Sequence, residues 1–427
     1  MSITVRSTKP TAVAAAGVVA LTACGGATGT AGTEDEPVEL RFSWWGSDHR
    51  AQATEAIIED FEEENPHIQI EGEFNDWSGY VDQLATQIAG GSGPDIVQLD
   101  DEFIREYADR GSLLELTDVD VSGLDETVVE SGQSDGVQYA IPTGVNALVM
   151  MANPDLFEEA GVEIPDDTSW TWEDFEEISE TIYEETGEYG TTNPILQALR
   201  VWARQQDAHL FTEEGELGLS QEQVEEWFEM LYDWNQRGIL PSATEIVEEE
   251  SAVLEDSLIG TGRSQLGLSW TNQLPALTEA AGTDLIPLRF PSSTGNAEDN
   301  GLWFKNTMLV GANSGTDHPE EAQEFIDYFI NSQDAGLHNL MDRGLPADEQ
   351  VRDAVVEEVE GQDAAVAELI EGLDGEITEP EPMLPVGYQG VSDSYSLHLQ
   401  EMYFDRMTPA EAAEAFVAEA ESILVEE

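Results

Sequence analysis

The sequence predicts an α/β protein of two globular domains, in which strands and helices alternate along the chain. The 427 residues are more than one hydrophobic core usually organises. Hydrophobic residues make up 40% of the chain, and this apolar content is enough for folding despite a formal net charge of −75. Strand-like and helix-like apolar patterns follow one another in the amino-terminal part, which is typical of α/β proteins.

The strand–helix repeats begin at residue 38. Val38–Trp44 is strand-like, His67–Phe74 alternates apolar and polar residues, and Asp95–Leu99 is a third short apolar run. Helical spacing fills the two gaps between these runs and also follows the third. The order βαβαβα predicts a mostly parallel, doubly wound sheet.

Helices dominate the later part of the chain. Thr171 is a predicted N-cap, and a helix over 221–237 places Trp227 and Trp234 on one face, where we expect them in the core. Thr408–Glu411 has the pattern of a capping box with proline at the first helical position, so it opens the last helix.

The charge balance excludes several partners. With 90 acidic against 15 basic residues, binding to nucleic acid or to anionic lipid headgroups is not expected, since both need clustered basic residues. Cys24 is the single cysteine, which excludes an intrachain disulfide framework and a cysteine-based zinc site. The acidity itself fits either adaptation to a salty exterior or a compositional bias of the source, and the sequence leaves both open.

The N-terminus carries export signals. Two basic residues precede the short apolar stretch Thr11–Leu21, which is followed by the lipobox-like Leu-Thr-Ala-Cys ending at Cys24. We therefore expect residues 1–23 to be a secretory signal peptide, Cys24 to be lipidated, and 24–37 to be a flexible tether.

The ends of the three predicted strands carry a distinctive set of side chains. Ligands of open parallel sheets bind beyond the carboxyl ends of the strands. Aromatic rings with carboxylate and amide groups suit sugars, because they cover the apolar sugar face and bind the hydroxyls. Successive strand residues point to opposite faces, so we expect one of Trp44 and Trp45 to be buried. The segments are Trp44-Trp45-Gly46-Ser47-Asp48 with Arg50, Asn75-Asp76-Trp77, and Asp100-Asp101.

Catalytic motifs are incomplete in this sequence. The Gly-Gly-Ser-Gly segment at 90–93 is followed by Pro94, where a nucleophile elbow needs glycine. The glycine pair Gly260 and Gly262 is followed by Gln265, where a dinucleotide loop needs a third glycine. A calcium-loop-like start at Asp118 lacks its final glutamate. The sequence therefore predicts no catalytic residue, no cofactor and no metal site.

Longer segments carry a family resemblance. Taken together and in order, they resemble the extracellular solute-binding proteins of ABC importers, in particular those that capture sugars and oligosaccharides. The segments are 41–50, 60–74, 88–100, 139–161, 169–177, 267–274, 318–331, 343–348 and 407–416.

The resemblance implies a periplasmic-binding-protein-like fold, with two α/β lobes, a hinge and a ligand cleft between the lobes. It implies hinge crossings near 141–143 and 307–311. The first implied lobe consists of residues 38–141 with about 308–345. The second consists of 142–307 with about 346–427. As an alternative, the last helices of the chain return to the first lobe.

The resemblance also implies the site and the partners. The expected partners are a carbohydrate ligand, the transmembrane subunits of an ABC permease, and the membrane through the lipid anchor alone, on its extracellular face. We expect a monomer without nucleic acid. The implied ligand-binding residues are Trp45, Ser47, Asp48, Arg50, Asp100, Asp101, Asn146, Trp270 and Asn272, with Arg204 and Arg343 as further candidates.

Two other functions remain open at this stage. A non-sugar solute such as a polyamine or iron could occupy an acidic, aromatic cleft, although Arg50 would oppose a cation. A secreted glycoside-active enzyme is the second alternative, and the incomplete catalytic motifs disfavour it.

Overall fold

The structure is a computed structural model that describes residues 32–33, 37–250, 252–373, 375–377 and 380–426. Cys24, the signal segment and most of the tether lie outside these residues. Within the described ranges, no helix is both long enough and apolar enough to cross a membrane.

Strands and helices alternate through the described chain. The strands are β1 (Val38–Trp45), β2 (Ile68–Asn75), β3 (Ile96–Leu99), β4 (Gln133–Ser134), β5 (Val137–Gln138), β6 (Ala140–Pro142), β7 (Gly144–Asn146), β8 (Leu148–Ala152), β9 (Tyr189–Thr191), β10 (Ser264–Trp270), β11 (Ile286–Leu288), β12 (Lys305–Asn306), β13 (Leu309–Ala312) and β14 (Leu345–Pro346). The helices are α1 (Asp48–Glu64), α2 (Trp77–Ala89), α3 (Asp101–Asp109), α4 (Glu126–Glu130), α5 (Pro154–Ala160), α6 (Trp172–Thr186), α7 (Leu196–Arg204), α8 (Gln221–Arg237), α9 (Ala243–Glu250), α10 (Leu274–Ala281), α11 (Pro319–Asn331), α12 (Gln333–Asn339), α13 (Glu349–Val356), α14 (Gln362–Leu373), α15 (Tyr388–Tyr403) and α16 (Pro409–Glu426).

A five-stranded sheet in the order β2-β1-β3-β13-β6 organises what we call the first region, together with the helices packed on it. β1 is parallel to β2 and β3, as the sequence predicts, whereas β13 is antiparallel to both β3 and β6. Phe42 of β1 and Phe61 of α1 both pack against Phe325 of α11, at ring-centre distances of 5.5 and 5.1 Å. The core of this region therefore lies between the sheet and helices from distant parts of the chain.

A four-stranded sheet in the order β11-β8-β10-β9 organises the second region. Every residue of β8 is buried, and β10 runs antiparallel to it. Trp227 and Trp234 of α8 are each 1% exposed, which confirms their predicted place in the core. The Trp227 indole N–H donates to the Tyr395 hydroxyl at 2.9 Å, and α15 and α16 pack against α8.

A three-stranded sheet in the order β12-β7-β14 lies where the chain runs between the two larger sheets. β7 follows β6 of the first sheet and precedes β8 of the second, while β12 follows β11 and precedes β13. Gly144 in β7 allows close packing here, since a Cβ at that position would lie 2.3 Å from the Arg343 carbonyl oxygen. We call this sheet with the side chains around it the junction.

Helix α13 departs from the expected segment boundaries. The resemblance places residues after about 346 with the second lobe, but α13 packs against α12 of the first region. Gly336 of α12 makes this packing possible, since a Cβ there would lie 2.2 Å from Val351 Cγ1. The chain rejoins the second region with α14, which packs against α10 and β11.

Candidate functional site

The carboxyl ends of β1 and β2 carry helix caps. Ser47 accepts a hydrogen bond from the Arg50 backbone N–H at 3.3 Å and caps α1, while Asp76 caps α2 through the Gly79 N–H at 3.0 Å. Asp48 is exposed in the first turn of α1, where the helix dipole favours a carboxylate. The polar residues after these two strands therefore stabilise helix N-termini.

Aromatic rings line the same edge of the first sheet. Trp45 is 9% exposed and lies edge-on to Trp77, at 4.8 Å between ring centres, with Tyr80 at 5.3 Å. Trp77 is 42% exposed and stacks on Phe103 at 6.0 Å. Trp44 is 1% exposed, so both residues of the Trp44–Trp45 pair are buried, whereas we expected one. Trp77 is therefore one of the accessible rings at this edge.

Arg50 joins elements of the first region. Its Nε donates to Asp342 Oδ2 at 2.5 Å, and its guanidinium also donates to the backbone carbonyls of Trp45 and Asp342 at 3.1 and 3.0 Å. These partners hold α1 to the loop after α12. Three of the five N–H donors of the Arg50 guanidinium are thus engaged within the protein.

Arg343 is an interior residue of the first region. It is 2% exposed, and its guanidinium donates to Gln98 Oε1 at 3.0 Å, Asn339 Oδ1 at 2.6 Å and Thr54 Oγ1 at 2.8 Å. It also lies 5.2 Å from the ring centre of Phe329. Burial, with the nearby Arg50 charge, lowers the pKa of Arg343. Three intramolecular bonds in a dry environment give this arginine a structural role.

Asp101 forms an ion pair with Lys305 at the junction. Its carboxylate lies 3.5 Å from the Lys305 ammonium, and that ammonium lies 5.4 Å from the ring centre of Trp270. Burial alone would raise the pKa of Asp101, but Lys305, a hydrogen bond with Asp100 and the charge of Arg200 lower it. Asp101 is therefore held as a carboxylate against Lys305.

Trp270 and the two asparagines expected near it lie in different environments. The Trp270 ring is half-buried and meets Trp303 edge-on at 6.3 Å between ring centres. Asn146 is 5% exposed, faces Lys305 across the β7–β12 pair, and accepts from the Thr271 hydroxyl at 3.1 Å. Asn272 is exposed. The structure thus brings Trp270 and Asn146 to the junction and leaves Asn272 on the surface.

Glu381 is the centre of a second charged cluster, in the segment between α14 and α15. Its Oε1 accepts from Arg200 Nε at 2.9 Å, and its Oε2 accepts from Arg204 at 3.0 Å and from His209 Nδ1 at 3.3 Å. The Glu381 side chain is 4% exposed. Burial would raise the pKa of Glu381, but the two arginines and the His209 hydrogen bond lower it to about 2.

Arg200 links this cluster to the aromatic residues. Its guanidinium carbon lies 4.6 Å from the ring centre of Trp303. Arg200 and Arg204 are four residues apart on α7, so both side chains leave the same face of the helix and reach one carboxylate. Burial would lower the pKa of Arg200, but Glu381 holds it above its usual range.

A small cavity, which we call the central cavity, opens among these groups. Its volume is about 40 Å³. A recess of about 520 Å³ adjoins it, and the two share Ser131 and the segment 381–383 as lining residues. Asn306 is 4% exposed, and in the described part of the chain its Oδ1 has no hydrogen-bond partner. The lining residues come from both regions and from the junction: Asp101, Thr127, Ser131, Arg200, Trp303–Asn306 and Glu381–Leu384.

The recess is of a size that suits a small ligand, since ligand sites usually measure roughly 300–1,000 Å³. Among the described residues, no group of three or more acidic, histidine or cysteine side chains could hold a metal ion. The chemistry that these walls offer is hydrogen bonding, ion pairing and aromatic contact.

Sequence reasoning missed most of the cavity wall. Of the expected residues, Asp101 lines it and Arg204 pairs with the wall residue Glu381. Arg200, Trp303 and Lys305 were not expected, although signals existed. Arg200 and Arg204 form an i,i+4 pair of arginines in a chain poor in basic residues, and Lys305 is one of two lysines in the sequence.

Comparison with known proteins adds independent information. The sequence pattern of the bacterial extracellular solute-binding proteins matches residues 46–335. A similar sequence is the arabinooligosaccharide-binding protein of Halalkalibacterium halodurans, 28% identical over 207 residues, which are 47% of this chain and 45% of that protein. The matched part thus spans less than half the length of that relative.

Solved structures resemble the fold over most of the chain. A family 1 extracellular solute-binding protein from Alicyclobacillus acidocaldarius matches with a TM-score of 0.76 and 26% identity, over 91% of this chain and 99% of that one. A periplasmic oligogalacturonide-binding protein from Yersinia enterocolitica matches with a TM-score of 0.79 and 22% identity, over the same shares of the two chains. These likenesses confirm the predicted fold class.

Proposed function

The chain belongs to the bacterial extracellular solute-binding proteins, and on this premise we propose that it captures a sugar or oligosaccharide outside the cell and delivers it to an ABC permease. The relatives support a carbohydrate ligand, since those reported above include binding proteins for arabinooligosaccharides and oligogalacturonides. Both are named as binding proteins, and we propose that this chain likewise performs no covalent chemistry and needs no cofactor.

The wall of the central cavity is the observation that carries the proposal. Trp303 offers an aromatic ring, Asp101 and Asn306 offer oxygen acceptors, and Arg200 offers donors, within one cavity that both regions line. A sugar needs this mixture, because its hydroxyls pair with polar groups while its C–H face packs on a ring. The free acceptor Asn306 Oδ1 supports a ligand with donor groups, since buried acceptors are rarely left unpaired.

We propose that the two regions are lobes that close on the ligand. The three-stranded junction would serve as the hinge, with crossings near 141–143 and 307–311. Support comes from Gly144, whose missing side chain allows the strands to approach closely. Closure follows thermodynamically if the sugar touches both regions only in the closed state, because the ligand then binds that state more tightly.

Ligand screening tests the proposal directly. The purified full chain is screened by thermal shift against neutral, acidic and amino oligosaccharides and against polyamines, and each hit is measured by calorimetry. A ligand that binds the folded state raises the melting temperature. We expect an oligosaccharide to do so. Stabilisation by polyamines alone would contradict the carbohydrate assignment and would support a binder of another solute.

We also propose that the chain is a lipid-anchored monomer on the extracellular face of the membrane, attached through Cys24, which lies outside the described residues. The Leu-Thr-Ala-Cys sequence and the following tether support the anchor. In the producing cell, Cys24→Ala should abolish lipid labelling and leave the chain unprocessed or released. Normal processing and labelling of that variant would contradict the anchor.

A further inference from the structure

We propose that the ligand, seated in the recess and reaching the central cavity, is a neutral rather than an acidic oligosaccharide, and that Glu381 excludes sugar acids by occupying donors that a ligand carboxylate would need. This inference rests on the proposed carbohydrate function and narrows its substrate class. It assigns to Glu381 a role in specificity.

The geometry around Glu381 is that of a filled carboxylate site. One carboxylate oxygen accepts a hydrogen bond from Arg200 at 2.9 Å, and the other accepts one from Arg204 at 3.0 Å. The second oxygen also lies 3.3 Å from His209 Nδ1. Arginine forks are the side chains that recognise a carboxylate most specifically. The protein thus holds a complete carboxylate-binding site beside its ligand cavity, and its own glutamate fills it.

The backbone fixes this glutamate in place. Pro380 and Pro382 flank Glu381, and the proline ring fixes the backbone angle φ at each of these two positions. Arg204 also donates to the Pro380 carbonyl oxygen at 3.1 Å, so the segment and the side chain are held by the same residue. With its side chain 4% exposed, the carboxylate is not readily displaced by a competing anion from solution.

The charges that line the central cavity cancel. Asp101 lies against Lys305, and Glu381 against Arg200, so each charge has a partner of opposite sign. A ligand carboxylate would enter as an additional buried charge without a free cation, which is strongly unfavourable. A cationic ligand would meet Lys305 and Arg200. A neutral sugar avoids both penalties.

The adjoining recess strengthens the exclusion of acids. One arginine, Arg105, lines it, and its guanidinium donates to the Glu213 carbonyl oxygen at 3.2 Å. A longer sugar acid that extended from the central cavity would therefore meet carboxylates along its length. The acidic residues of the recess are Glu130, Asp135, Glu213, Glu214 and Glu381.

The test compares matched sugars on the wild-type chain and on Glu381→Gln. Neutral oligosaccharides and their uronate counterparts of equal length and linkage are measured by thermal shift and calorimetry. The wild type should bind a neutral member at least about tenfold more tightly than its uronate counterpart. Glu381→Gln keeps the shape but removes the negative charge, so the positive charges of Arg200 and Arg204 lose their counter-ion. The variant should therefore gain about tenfold in affinity for the uronate counterpart.

Glu245→Gln is the matched control. Glu245 also binds an arginine, with Arg263 at 2.6 Å, and lies outside the walls of the central cavity and its recess. This variant should leave the ratio of neutral to acidic affinity unchanged. A gain of uronate binding in both variants would overturn the proposal, because the gain would then reflect the loss of any negative charge.

The comparison of matched sugars on the wild-type chain tests the inference even if Glu381→Gln does not fold. Equal or tighter binding of the uronate counterpart by the wild type overturns the inference and leaves the carbohydrate function standing. Failure of every sugar to bind would refute the proposed function itself, which is a separate result.

Discussion

Buried arginines have different partners in the first region and at the junction. Arg343, inside the first region, donates to the neutral side chains of Gln98, Asn339 and Thr54, and burial lowers its pKa. Arg200, beside the central cavity, pairs with the carboxylate of Glu381, which raises its pKa. Both arginines are buried, so burial alone does not reveal which one lies near a ligand.

The comparison indicates that the hydrogen-bond partners of a side chain, more than its position at the edge of a sheet, distinguish a structural residue from a candidate ligand-site residue. The carboxyl edge of the first sheet is the place where ligands of parallel sheets bind. Yet Ser47 and Asp76 there cap helices, and Arg50 holds Asp342. The groups that face open space lie instead on the junction and on α7.

Replacing Arg343 should have the largest effect on stability. Arg343→Met leaves three buried polar partners without their donor, so the free energy of unfolding should fall by about 3–5 kcal/mol. Urea unfolding measures this, with Arg406→Met as the control, since the Arg406 side chain is 59% exposed. Ligand affinity of the folded variant should be unchanged. Normal stability with lost affinity would show that Arg343 does face the ligand.

Acid should remove the contribution of Glu381. Its pKa is about 2 in the folded protein, against 4.5 for an unperturbed glutamate. A lowered pKa means that the stabilisation is complete above about pH 4.5 and is lost as the pH falls towards about 2. The wild type should therefore exceed Glu381→Gln by about 3 kcal/mol at pH 7. Unfolding curves at several pH values measure this difference, and a gap that persists at pH 2 would contradict the ion-pair geometry.

Two tryptophans extend the comparison to aromatic residues. Trp270 packs against Trp303 and Lys305, two wall residues of the central cavity, so Trp270→Ala should disturb that wall and weaken sugar binding roughly 30-fold while the protein stays folded. Trp227 lies in the core of the second region, so Trp227→Ala should lower stability but not the affinity of the folded fraction. Calorimetry and thermal unfolding of both variants separate the two roles. Normal affinity of Trp270→Ala would move the site away from the junction.

Two exposed rings of the first region give the smallest expected effect. Trp77 stacks on Phe103 beside Asp101, and Phe74 stacks on Trp44; they are 42% and 46% exposed. If the sugar reaches the Trp77 ring, Trp77→Ala should weaken binding by about 1 kcal/mol. Phe74→Ala should leave affinity unchanged. Equal losses in the two variants would indicate a general disturbance of this edge.

Local signals made much of the fold predictable. Thr171 and Thr408 form the expected hydrogen bonds with Asp174 and Glu411 at helix starts. The first three strands are parallel because apolar patterns fix their faces and helices connect them. Such features depend on residues a few positions apart.

Pairings between distant residues could not be predicted from the sequence. Arg200 and Glu381 are 181 positions apart, and no local pattern specifies that contact. The same holds for β13, which enters the first sheet as an antiparallel strand after the whole second sheet. The resemblance implies that Trp45 contacts the ligand, and no local pattern predicts that Trp77 and Tyr80 pack against its ring. The sequence identified the types of residue in the site better than their positions.

The late entry of β13 affects how the protein is made. Leu309–Ala312 pairs with both β3 and β6, so the five-stranded sheet stays open until residue 312 has left the ribosome. All strands of the second sheet are synthesised before then. Contacts between such distant segments form slowly, and β3 keeps an unpaired edge in the meantime. The amino-terminal strands of the nascent chain therefore cannot complete their sheet until β13 has been synthesised.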